Sequence, residues 1–509
     1  MPLTHAGGQT RREILAGLGA VSAGMAVSFA DKPQAERTKK RIQLLGRVLA
    51  SDAHSHRDGT GLAGVMVSNG RDVVVTDANG AWELTAEPEA AVFVIKPPGW
   101  TYLENAGVPL LSSSGAAQSG SLDFRLRPQS EQDAFEVALF ADTQAANAQE
   151  LDYVRREIAR SVPRAGFAFV INHGDVMGDD LRLLTPYKDI VRETGLIWHH
   201  CPGNHDMDLA SPSHAHAFDT WKREIGPAHY AFQYANATFI VLNNVEYLGA
   251  GAQPLEGRLY RGALGEEQLT FVGNVLKHTP RDNLVVLSMH VPLVSFENPK
   301  ALGDNTADRA QLLRLLSEFP STVSFSGHSH TTEHHYLGRE DGFAGPAPHH
   351  HHVLTAFCGS WWGGPLNEHG IPVSDSRDGS PRGYHVLRVE GNTYKTRFVP
   401  VGCLRGTSAR TAADSEARLT VDVFDGGPKT RIRCHAPGAD STFELQRTVM
   451  PDPHIVESYA RHRDLLKPWV SPAPSSHMWS GTLPQLSCGD CVLEITDEYG
   501  FERRLVVQV

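Results

Sequence analysis

The hydrophobic and polar positions of the chain follow two different patterns. Between about residues 133 and 400, apolar runs of strand length alternate with stretches in which apolar residues recur at helical spacing. The run 135–141 precedes a helical stretch at 147–160, and another apolar run, 167–171, follows it. Later runs and helical stretches continue this order at 196–200, 239–242, 265–276, 284–289, 308–318 and 322–326. The alternation predicts an α/β fold for this part of the chain.

The segments on either side of residues 133–400 show the alternation that is typical of β-strands. Residues 42–128 predict a small β-sandwich module, and its pattern G-V-x-V-S-x-G, followed by T-D-x-x-G, resembles the transthyretin-like and carboxypeptidase-regulatory modules. Residues 401–509 predict a second small all-β domain. The charged, proline-containing residues 31–41 predict a linker. We therefore expect an α/β core with an all-β domain on each side.

Polar residues follow directly after five of the apolar runs in the core. These residues are Asp142-Thr143-Gln144, Gly174-Asp175, Gly203-Asn204-His205-Asp206, His290 and Gly327-His328-Ser329-His330. In α/β folds, ligands bind at the edge where the strands end. Carboxylate, amide and imidazole groups together suit divalent metals such as Mn, Fe or Zn. The sequence therefore predicts a metal site at this edge of the core.

Together and in this order, the five motifs resemble those of the calcineurin-like metallophosphoesterases, which run D-x-H, G-D, G-N-H-D/E, H and G-H-x-H. The resemblance implies a β-sandwich core with flanking helices and a site for two divalent metal ions. One metal would be held by Asp142, Asp175 and His330. The other would be held by Asp175, Asn204, His290 and His328, so that Asp175 bridges the two ions.

Gln144 occupies the position at which the family pattern has His. We expect Gln144 to be a metal ligand through its amide oxygen, which binds more weakly than imidazole. The alternative is a hydrogen bond to one of the ligands. His205 is the expected proton donor to the leaving oxygen, with Asp206 orienting it. The resemblance then implies in-line attack on phosphorus by a metal-bridging hydroxide, with no Ser, Cys or His nucleophile.

Two segments after the last motif are candidates for substrate contacts. Trp361 and Trp362 are predicted to stack on a substituent of the substrate, and Arg382 is predicted to pair with a phosphate oxygen. The alternative for the tryptophans is packing at a domain interface. Both segments resemble a bacterial subgroup of the family that carries N-terminal and C-terminal β-modules. The four consecutive histidines 349–352 are either a metal-binding patch or a solvated loop that leads into a strand, and the loop is favoured.

Composition and charge narrow the function classes. The 509 residues include 21% charged and 41% hydrophobic residues, and the formal net charge is −11. These values are typical of a globular protein with more than one domain. Because the basic residues are not clustered, nucleic acid is not an expected partner. Six cysteines in a chain of this length are too few for a disulfide scaffold.

The beginning of the sequence has the pattern of a twin-arginine export signal. Arg11 and Arg12 precede a Gly/Ala-rich, moderately apolar run, and Ser28-Phe29-Ala30 supplies the small residues of a cleavage site. Residues 1–30 are therefore predicted to be a signal peptide, and the mature protein is predicted to be periplasmic or secreted. No other stretch is long and apolar enough to span a bilayer, so no membrane anchor is expected in the mature chain.

The sequence thus predicts an exported phosphoesterase that hydrolyses a small phosphorylated substrate. The motifs bind the phosphoryl centre and leave the choice between phosphodiester and phosphomonoester open, although two tryptophans favour a diester with a second substituent. The alternative is a cell-envelope binding protein, attached through its β-modules, with a weakly active or degenerate metal site. The intact set of motif residues argues against that alternative.

Overall fold

The computed structural model describes residues 41–51, 59–87, 90–105, 108–109, 111, 122–162, 166–402, 409–413, 418–436, 442–483 and 490–508. The predicted signal peptide 1–30 and nearly all of the predicted linker 31–41 lie outside these residues, as do Cys403 and Cys488. Within the described part of the chain, no helix has the length and apolar character needed to cross a membrane.

The N-terminal module is built from short strands. These are β1 (Ile42–Ala50), β2 (Met66–Ser68), β3 (Val73–Val75), β4 (Ala81–Ala86), β5 (Phe93–Ile95), β6 (Trp100–Tyr102), β7 (Glu104–Asn105), β8 (Val108–Pro109) and β9 (Phe124–Pro128). One sheet has the order β4-β1-β9-β6 and a second has the order β3-β2-β5. Every second residue of β4 is buried, namely Trp82, Leu84 and Ala86, which is the period expected for a half-buried strand.

Among the described residues, the core contains two larger sheets, a small two-stranded sheet and five α-helices. The strands are β10 (Ala134–Phe140), β11 (Phe169–His173), β12 (Trp198–Cys201), β13 (Tyr230–Tyr234), β14 (Ala237–Val241), β15 (Val245–Tyr247), β16 (Tyr260–Gly262), β17 (Leu284–Ser288), β18 (Thr322–Ser326), β19 (Glu333–Leu337), β20 (His349–Val353), β21 (Gly383–Glu390) and β22 (Thr393–Pro400). The helices are α1 (Ala148–Ser161), α2 (Leu184–Thr194), α3 (Asp219–Glu224), α4 (Gly265–Lys277) and α5 (Arg309–Leu316). One sheet has the order β12-β11-β10-β21-β22, and the other has the order β13-β14-β17-β18-β20-β19.

The alternation of side chains along β10 shows how the layers pack. Val137 and Leu139 belong to the apolar core between the two sheets, which also contains Phe239 of β14. Ala138 and Phe140 point the other way, into the apolar core formed with α1 and α2. The predicted α/β fold with a β-sandwich core and flanking helices is therefore confirmed.

The strands that precede the predicted site end at one edge of this sandwich. In the first sheet, β10, β11 and β12 pair in parallel. In the second sheet, β14, β17, β18 and β20 also pair in parallel. Parallel neighbours end on the same side, so residues that follow β10, β11, β12, β17 and β18 are brought together from both sheets.

In its described residues, the C-terminal domain contains a seven-stranded sheet and one α-helix. Its elements are β23 (Ala409–Ala413), β24 (Arg418–Val423), β25 (Arg431–His435), β26 (Phe443–Met450), α6 (Pro453–Arg461), β27 (Ser475–Thr482), β28 (Asp490–Thr496) and β29 (Glu502–Gln508). Helix α6 was not predicted. The sequence does contain its start signal, because Asp452 caps the amide of His454 and Pro453 occupies the first turn.

The interpretation of residues 349–352 as a solvated loop is wrong. These four histidines form most of β20, a buried strand between β18 and β19. The imidazoles at His349 and His351 have partners inside the protein, since both rings lie within hydrogen-bonding distance of the hydroxyl of Ser324, at 2.8 and 2.7 Å. A buried polar side chain is tolerated when it is hydrogen-bonded, and the polarity of this run therefore misled the prediction.

Replacing Phe239 by Ala should destabilise the core by about 3–5 kcal/mol, because the ring is fully buried between the two sheets. Its ring centroid lies 5.0 Å from that of Phe232 and 5.1 Å from that of Phe169. The free energy of unfolding, measured with urea, checks this. Phe501→Ala is the control, since that ring is 57% exposed and its loss should cost less than about 1 kcal/mol. Equal losses in both variants would contradict the expected sandwich packing.

Candidate metal centre

Three potential metal ligands meet where strands of the two sheets end. Asp175 follows β11, His290 follows β17 and His328 follows β18, and one ligating atom of each lies within 4.8 Å of the other two. Nε2 of His290 is 3.2 Å from Oδ1 of Asp175 and 3.2 Å from Nδ1 of His328. Two ligands of one ion are separated by roughly 3 Å when each metal bond is about 2.0–2.1 Å long. These three side chains therefore fit one divalent ion.

The side chain of Asn204, which follows β12, joins the same group. Its Oδ1 lies 3.2 Å from Nε2 of His290, and the residue is buried. The structure thus brings together all four residues of one predicted ligand set, Asp175, Asn204, His290 and His328. Two nitrogens and two oxygens in a cleft match the ligand preferences of a borderline divalent metal.

The other predicted ligand set converges less tightly. Nε2 of His330 is 3.5 Å from Oδ1 of Asp142, and both residues are buried. Nε2 of Gln144 is 3.4 Å from Oδ2 of Asp175, which places the amide beside the carboxylate that belongs to both sets. Gln144 therefore reaches the centre, and its position is compatible with ligation through Oε1 or with a hydrogen bond to Asp175.

Two of the histidines are held so that one ring nitrogen faces the centre. Nδ1 of His290 lies 2.8 Å from the carbonyl oxygen of His173, and Nδ1 of His330 lies 2.7 Å from that of Gly359. A carbonyl oxygen only accepts, so each Nδ1 carries the proton and each Nε2 presents its lone pair. Fixing the tautomer and ring orientation in this way is what metal-binding histidines require.

His328 is oriented by a carboxylate that the sequence did not predict. Oδ1 of Asp304 lies 3.2 Å from Nε2 of His328, which leaves Nδ1 to face the centre. Arg258 donates to the same oxygen of Asp304. Asp304 lies in the loop between β17 and α5, where no strand end marks it, so the only available signal was the Gly-Asp-Asn composition of that turn.

Two glycines leave no room for a side chain beside the ligands. A Cβ on Gly203 would lie 2.1 Å from Oδ1 of Asp175, and a Cβ on Gly327 would lie 2.4 Å from Oδ2 of Asp142. Both distances are well below a van der Waals contact, so any other residue would displace the carboxylate. The glycines of the G-N-H-D and G-H-x-H motifs are thus needed because the backbone passes directly against a ligand.

Replacing Gly203 by Ala should lower metal affinity by about 10–100-fold, because the new methyl group displaces the carboxylate of Asp175. Titration with a divalent metal after removal of bound ions, followed by calorimetry, measures this change. Gly251→Ala serves as the control, since its Cβ would meet nothing within 4 Å. Unchanged affinity in Gly203→Ala would show that the position of Asp175 does not determine metal binding.

Several of the predicted ligands have left-handed backbone conformations. The residues with positive φ are Asp142 (51°), Gln144 (40°), Asp175 (49°), His328 (79°) and His330 (55°). Such values are uncommon for residues other than glycine and cost of order 1–3 kcal/mol each. The fold supports this strain at the edge of the sandwich, where the turns direct the side chains into one cleft.

Burial and mutual attraction set the charges of the ligands. Burial lowers the pKa of His290, but the charge of Asp175, the hydrogen bond to Asp175 and the charge of Asp142 together outweigh burial and raise that pKa to about 9. Burial raises the pKa of Asp175, but the charges of His290 and His205 outweigh it and hold the pKa well below its usual range. Burial is the largest cause that raises the pKa of Asp142 to about 7 and lowers that of His330 to about 3. Metal uptake at His290 therefore competes with proton binding.

His205 lies at the centre, with its two nitrogens facing different groups. Nε2 is 3.9 Å from Oδ2 of Asp175, and Nδ1 is 2.7 Å from Oδ1 of Asp179. The prediction that Asp206 orients His205 is wrong, because Asp179 occupies that position. Asp179 belongs to the Gly174–Asp180 stretch, in which only Asp175 was assigned a role.

Asp206 instead stabilises the backbone turns of the centre. Its Oδ2 accepts hydrogen bonds from the amides of Val176, at 3.0 Å, and Gly203, at 2.9 Å. Its Oδ1 accepts one from the amide of Met177 at 2.9 Å. The carboxylate thereby ties the turn after β11 to the turn after β12, which fixes Asp175 relative to Asn204.

The two tryptophans have different positions. Trp361 borders the cleft, and its ring stacks on that of His330 with centroids 4.1 Å apart. Trp362 is buried, and its Nε1 donates to the carbonyl oxygen of Thr143 at 3.0 Å. Of the two predicted contacts, only Trp361 is available to a substrate, and the alternative of packing describes Trp362.

The C-terminal domain supports Trp361 from behind. Trp361 packs against an apolar cluster that contains Ile455 and Tyr459 of α6. Trp469 contacts the ring of Trp361 edge to face, with centroids 6.2 Å apart. The hydroxyl of Tyr459 donates to the carbonyl oxygen of Asp375 at 2.8 Å. This domain therefore contributes to one wall of the cleft.

The prediction that Arg382 contacts a phosphate is wrong. The guanidinium is buried, pairs with Glu157 of α1 at 3.3 Å and lies over the ring of Trp362 at 5.0 Å. Arg377, from the same segment, does border the cleft. Its two terminal nitrogens donate to the two carboxylate oxygens of Glu297, at 3.0 and 2.8 Å.

The cleft above these groups has a volume of about 250 Å³. Five of the predicted ligands border it, namely Gln144, Asp175, Asn204, His328 and His330. His205, Arg258, Tyr260, Glu297, Asp304, Trp361 and Arg377 border it as well. A space of this size admits a phosphoryl group with a small substituent. Ionisable, metal-ligating and aromatic groups thus surround one small, polar cavity.

Two models of one protein family match the sequence. The model described as the N terminal of calcineurin-like phosphoesterase matches residues 51–129, and the model described as the C terminal of calcineurin-like phosphoesterase matches residues 351–502. On both sides of the core, the chain is therefore similar to the calcineurin-like phosphoesterases. The predicted resemblance to this family is therefore confirmed.

Solved structures with a similar chain include PhoD, with 10% identity over 92% of this chain and 86% of that chain and a TM-score of 0.37. A purple acid phosphatase from seeds of yellow lupin (Lupinus luteus) is 12% identical over 69% of this chain, with a TM-score of 0.36, and the match spans 56% of that phosphatase. A metallophosphoesterase from Sphaerobacter thermophilus is 10% identical over 53% of this chain and 90% of that chain, with a TM-score of 0.26. No curated protein sequence matches the chain.

Proposed function

We propose that this protein is a two-metal phosphodiesterase whose centre lies at the edge of the core sandwich. The observation that carries the proposal is the convergence of two carboxylates, two amides and three imidazoles beneath one small cleft. Asp142, Gln144, Asp175 and His330 would hold one divalent ion, and Asp175, Asn204, His290 and His328 the other. Two bound ions supply an activated water nucleophile and neutralise charge on the phosphoryl oxygens. Mn, Fe and Zn suit these ligands.

The chain itself positions the groups that handle protons. His205 borders the cleft with Nε2 toward the centre, so we assign it the proton donor to the leaving oxygen. Asp179 holds Nδ1 and favours the protonated ring, which a general acid needs. Trp361 provides a flat apolar surface beside His330, against which a substituent of the substrate can lie.

The charge of the cleft favours a diester over a monoester. Both arginines that border it are already paired, Arg258 with Asp304 and Arg377 with Glu297. A phosphomonoester carries up to two negative charges near neutral pH, whereas a phosphodiester carries one. Because neither guanidinium offers an uncompensated charge, the cleft adds little attraction for the second charge of a monoester.

With Mn²⁺ supplied, kcat/KM for bis(p-nitrophenyl) phosphate should exceed that for p-nitrophenyl phosphate by at least about tenfold, or about 1.4 kcal/mol of transition-state stabilisation. Steady-state assays of both esters on one preparation provide the measurement. The Glu297→Gln variant frees the charge of Arg377 and should shift the preference toward the monoester. A wild-type preference for the monoester would overturn the diester assignment but not the metal-dependent hydrolysis.

We also propose that the protein is exported by the twin-arginine route. The support is the sequence of residues 1–30, which lies outside the residues that the structure describes. Replacing Arg11 and Arg12 together by Lys in the full-length chain should leave the protein in the cytoplasmic fraction, while the unaltered chain is found in the periplasm or medium. Equal export of both chains would contradict this route.

A further inference from the structure

A second group of histidines lies apart from the centre described above. His350 and His352 of β20 point to the opposite side of the strand from His349 and His351. On that side they meet His334 of β19, whose ring stacks on the ring of His352 with centroids 4.0 Å apart. His334, His350 and His352 present ligating atoms within 4.8 Å of one another.

These residues surround a carboxylate from the C-terminal domain. Asp425, in the turn after β24, places its Oδ1 2.9 Å from Nε2 of His352 and 3.1 Å from Nε2 of His334. His385 of β21 places its Nδ1 3.5 Å from the same oxygen. A tetrahedral ion with bonds of about 2.0–2.1 Å has ligands roughly 3.3 Å apart. The separations from Asp425 thus match the edges of such a tetrahedron.

The orientation of His334 is fixed by a chain of ring contacts. Nδ1 of His334 lies 2.9 Å from Nε2 of His350, and Nδ1 of His350 lies 2.9 Å from the hydroxyl of Tyr394. This chain leaves Nε2 of His334 facing Asp425. A hydrogen bond to the distal nitrogen is the usual way in which a protein orients a metal-binding imidazole.

The burial of His352 is not explained by hydrogen bonding alone. The residue is fully buried, and within the described part of the chain neither of its ring nitrogens has a hydrogen-bond partner. Nε2 is close to Asp425 but lacks the alignment of a hydrogen bond, as expected for two neighbouring ligands of one ion. A buried imidazole nitrogen without a hydrogen bond is costly, and coordination of Nε2 to a metal would remove that cost at this nitrogen.

His385 shows the same feature at its Nδ1, which also has no hydrogen-bond partner among the described residues. Ligation through Nδ1 requires the tautomer with its proton on Nε2. The hydroxyl oxygen of Thr355 lies 3.4 Å from Nε2 and is placed to accept that proton. In the structure Nε2 instead accepts a long hydrogen bond from the amide of Thr355 at 3.3 Å, which metal binding would break. Nε2 of His352 and Nδ1 of His385 therefore both face the same oxygen of Asp425.

We propose that His334, His352, His385 and Asp425 form a structural Zn²⁺ site that fastens the C-terminal domain to the core. Three imidazoles and one carboxylate fill all four positions of a tetrahedral ion, and a closed, buried shell is typical of structural zinc. The site joins β19, β20 and β21 to the turn after β24. His334 lies four residues beyond His330, so the zinc also anchors the segment that carries the G-H-S-H motif.

Metal content of the purified full-length chain tests this proposal. After loading with Zn²⁺ and removal of free ions, the Asp175→Asn variant, whose catalytic centre is impaired, should retain one tightly bound zinc per chain. Adding Asp425→Asn should remove it. Adding His349→Gln instead should not, because His349 lies on the same strand but on the opposite face. Inductively coupled plasma mass spectrometry gives the stoichiometry.

Spectroscopy distinguishes loss of the site from loss of the fold. In the Asp175→Asn chain loaded with Co²⁺, we expect the intense visible absorption of tetrahedral cobalt with nitrogen and oxygen ligands. X-ray absorption of the zinc form should show three imidazoles. Neither measurement requires a variant of the proposed site. An Asp175→Asn chain that retains no tight zinc, or six-coordinate cobalt without imidazole, would overturn the proposal. That outcome would overturn the structural zinc site and leave the proposed phosphodiesterase function standing.

Discussion

Replacing Asp175 by Asn should reduce kcat/KM by about 10³-fold or more, corresponding to roughly 4 kcal/mol of transition-state stabilisation. Asp175 is the one carboxylate placed between the two ligand sets. Its Oδ1 lies 3.2 Å from Nε2 of His290 and accepts the amide of His205 at 2.8 Å, while its Oδ2 lies 3.4 Å from Nε2 of Gln144. Asn has the same shape but no charge and only one oxygen.

The physical reason for so large an effect is repulsion between cations. Two divalent ions a few ångströms apart repel each other strongly, and an anionic oxygen on either side offsets that repulsion. An amide removes the charge and turns an NH₂ group toward one of the ions. We therefore expect the variant to lose at least one metal per chain from the catalytic centre as well as its activity.

Activity with bis(p-nitrophenyl) phosphate and metal content by mass spectrometry together provide the measurement. Asp152→Asn is the matched control, because that carboxylate is exposed on α1 and pairs only weakly with Arg156 at 3.4 Å. Far-ultraviolet circular dichroism confirms that both variants fold. If Asp175→Asn kept full metal occupancy and activity within about tenfold of the unaltered protein, the assignment of Asp175 as the shared ligand would be abandoned.

The positions of the ligands were predictable because of where they stand relative to apolar runs. A buried strand such as β17 must be apolar, so a polar residue directly after it marks the edge of the sheet. His290 and Asp175 were found in this way. Their convergence follows from parallel pairing, since strands from both sheets end on one side of the sandwich.

The directions of neighbouring side chains were not predictable. Asp206 follows His205 in sequence, yet its carboxylate binds backbone amides while Asp179 holds the imidazole. Likewise, Arg382 turns toward Glu157 of α1, whereas Arg377 of the same segment faces the cleft. In a turn, adjacent residues differ in backbone angles, and positive φ values at the centre make the directions still less regular.

The burial of the four-histidine strand β20 was not predictable for a different reason. Polarity usually indicates exposure because a buried polar group without a partner is costly. The partners of β20 are distant in the chain, among them Ser324 of β18, Tyr394 of β22 and Asp425 of the C-terminal domain. Only a structure shows that these groups meet. The same packing brings together the residues of the proposed zinc site, two of which, His334 and His352, lie on β19 and β20.

Replacing His205 by Ala should lower kcat by about 10²–10⁴-fold while the catalytic metals stay bound. His205 borders the cleft with Nε2 3.9 Å from Oδ2 of Asp175, a distance too long for a strong hydrogen bond. Loss of its ring therefore removes a proton donor without removing one of the proposed ligands. Metal content by mass spectrometry, compared with kcat, separates the two effects.

The loss of activity in His205→Ala should depend on the leaving group of the substrate. A general acid matters most when the departing oxygen is strongly basic, so the loss should be large for an alkyl ester and small for a p-nitrophenyl ester. Asp179→Asn should show the same dependence with a smaller loss, because Asp179 acts by holding Nδ1 of His205. The Asp179→Asn variant should also displace the limb of the pH–rate profile that reports the ionisation of the general acid His205.

Asp206→Asn is the comparison that tests which aspartate serves His205. Because Asp206 holds backbone amides of the turns after β11 and β12, its replacement should weaken metal binding and stability, with no special dependence on the leaving group. An equal loss for all leaving groups in His205→Ala would contradict the role of proton donor. Loss of metal in that variant would instead make His205 a ligand, and the leaving oxygen would then have to take its proton from water.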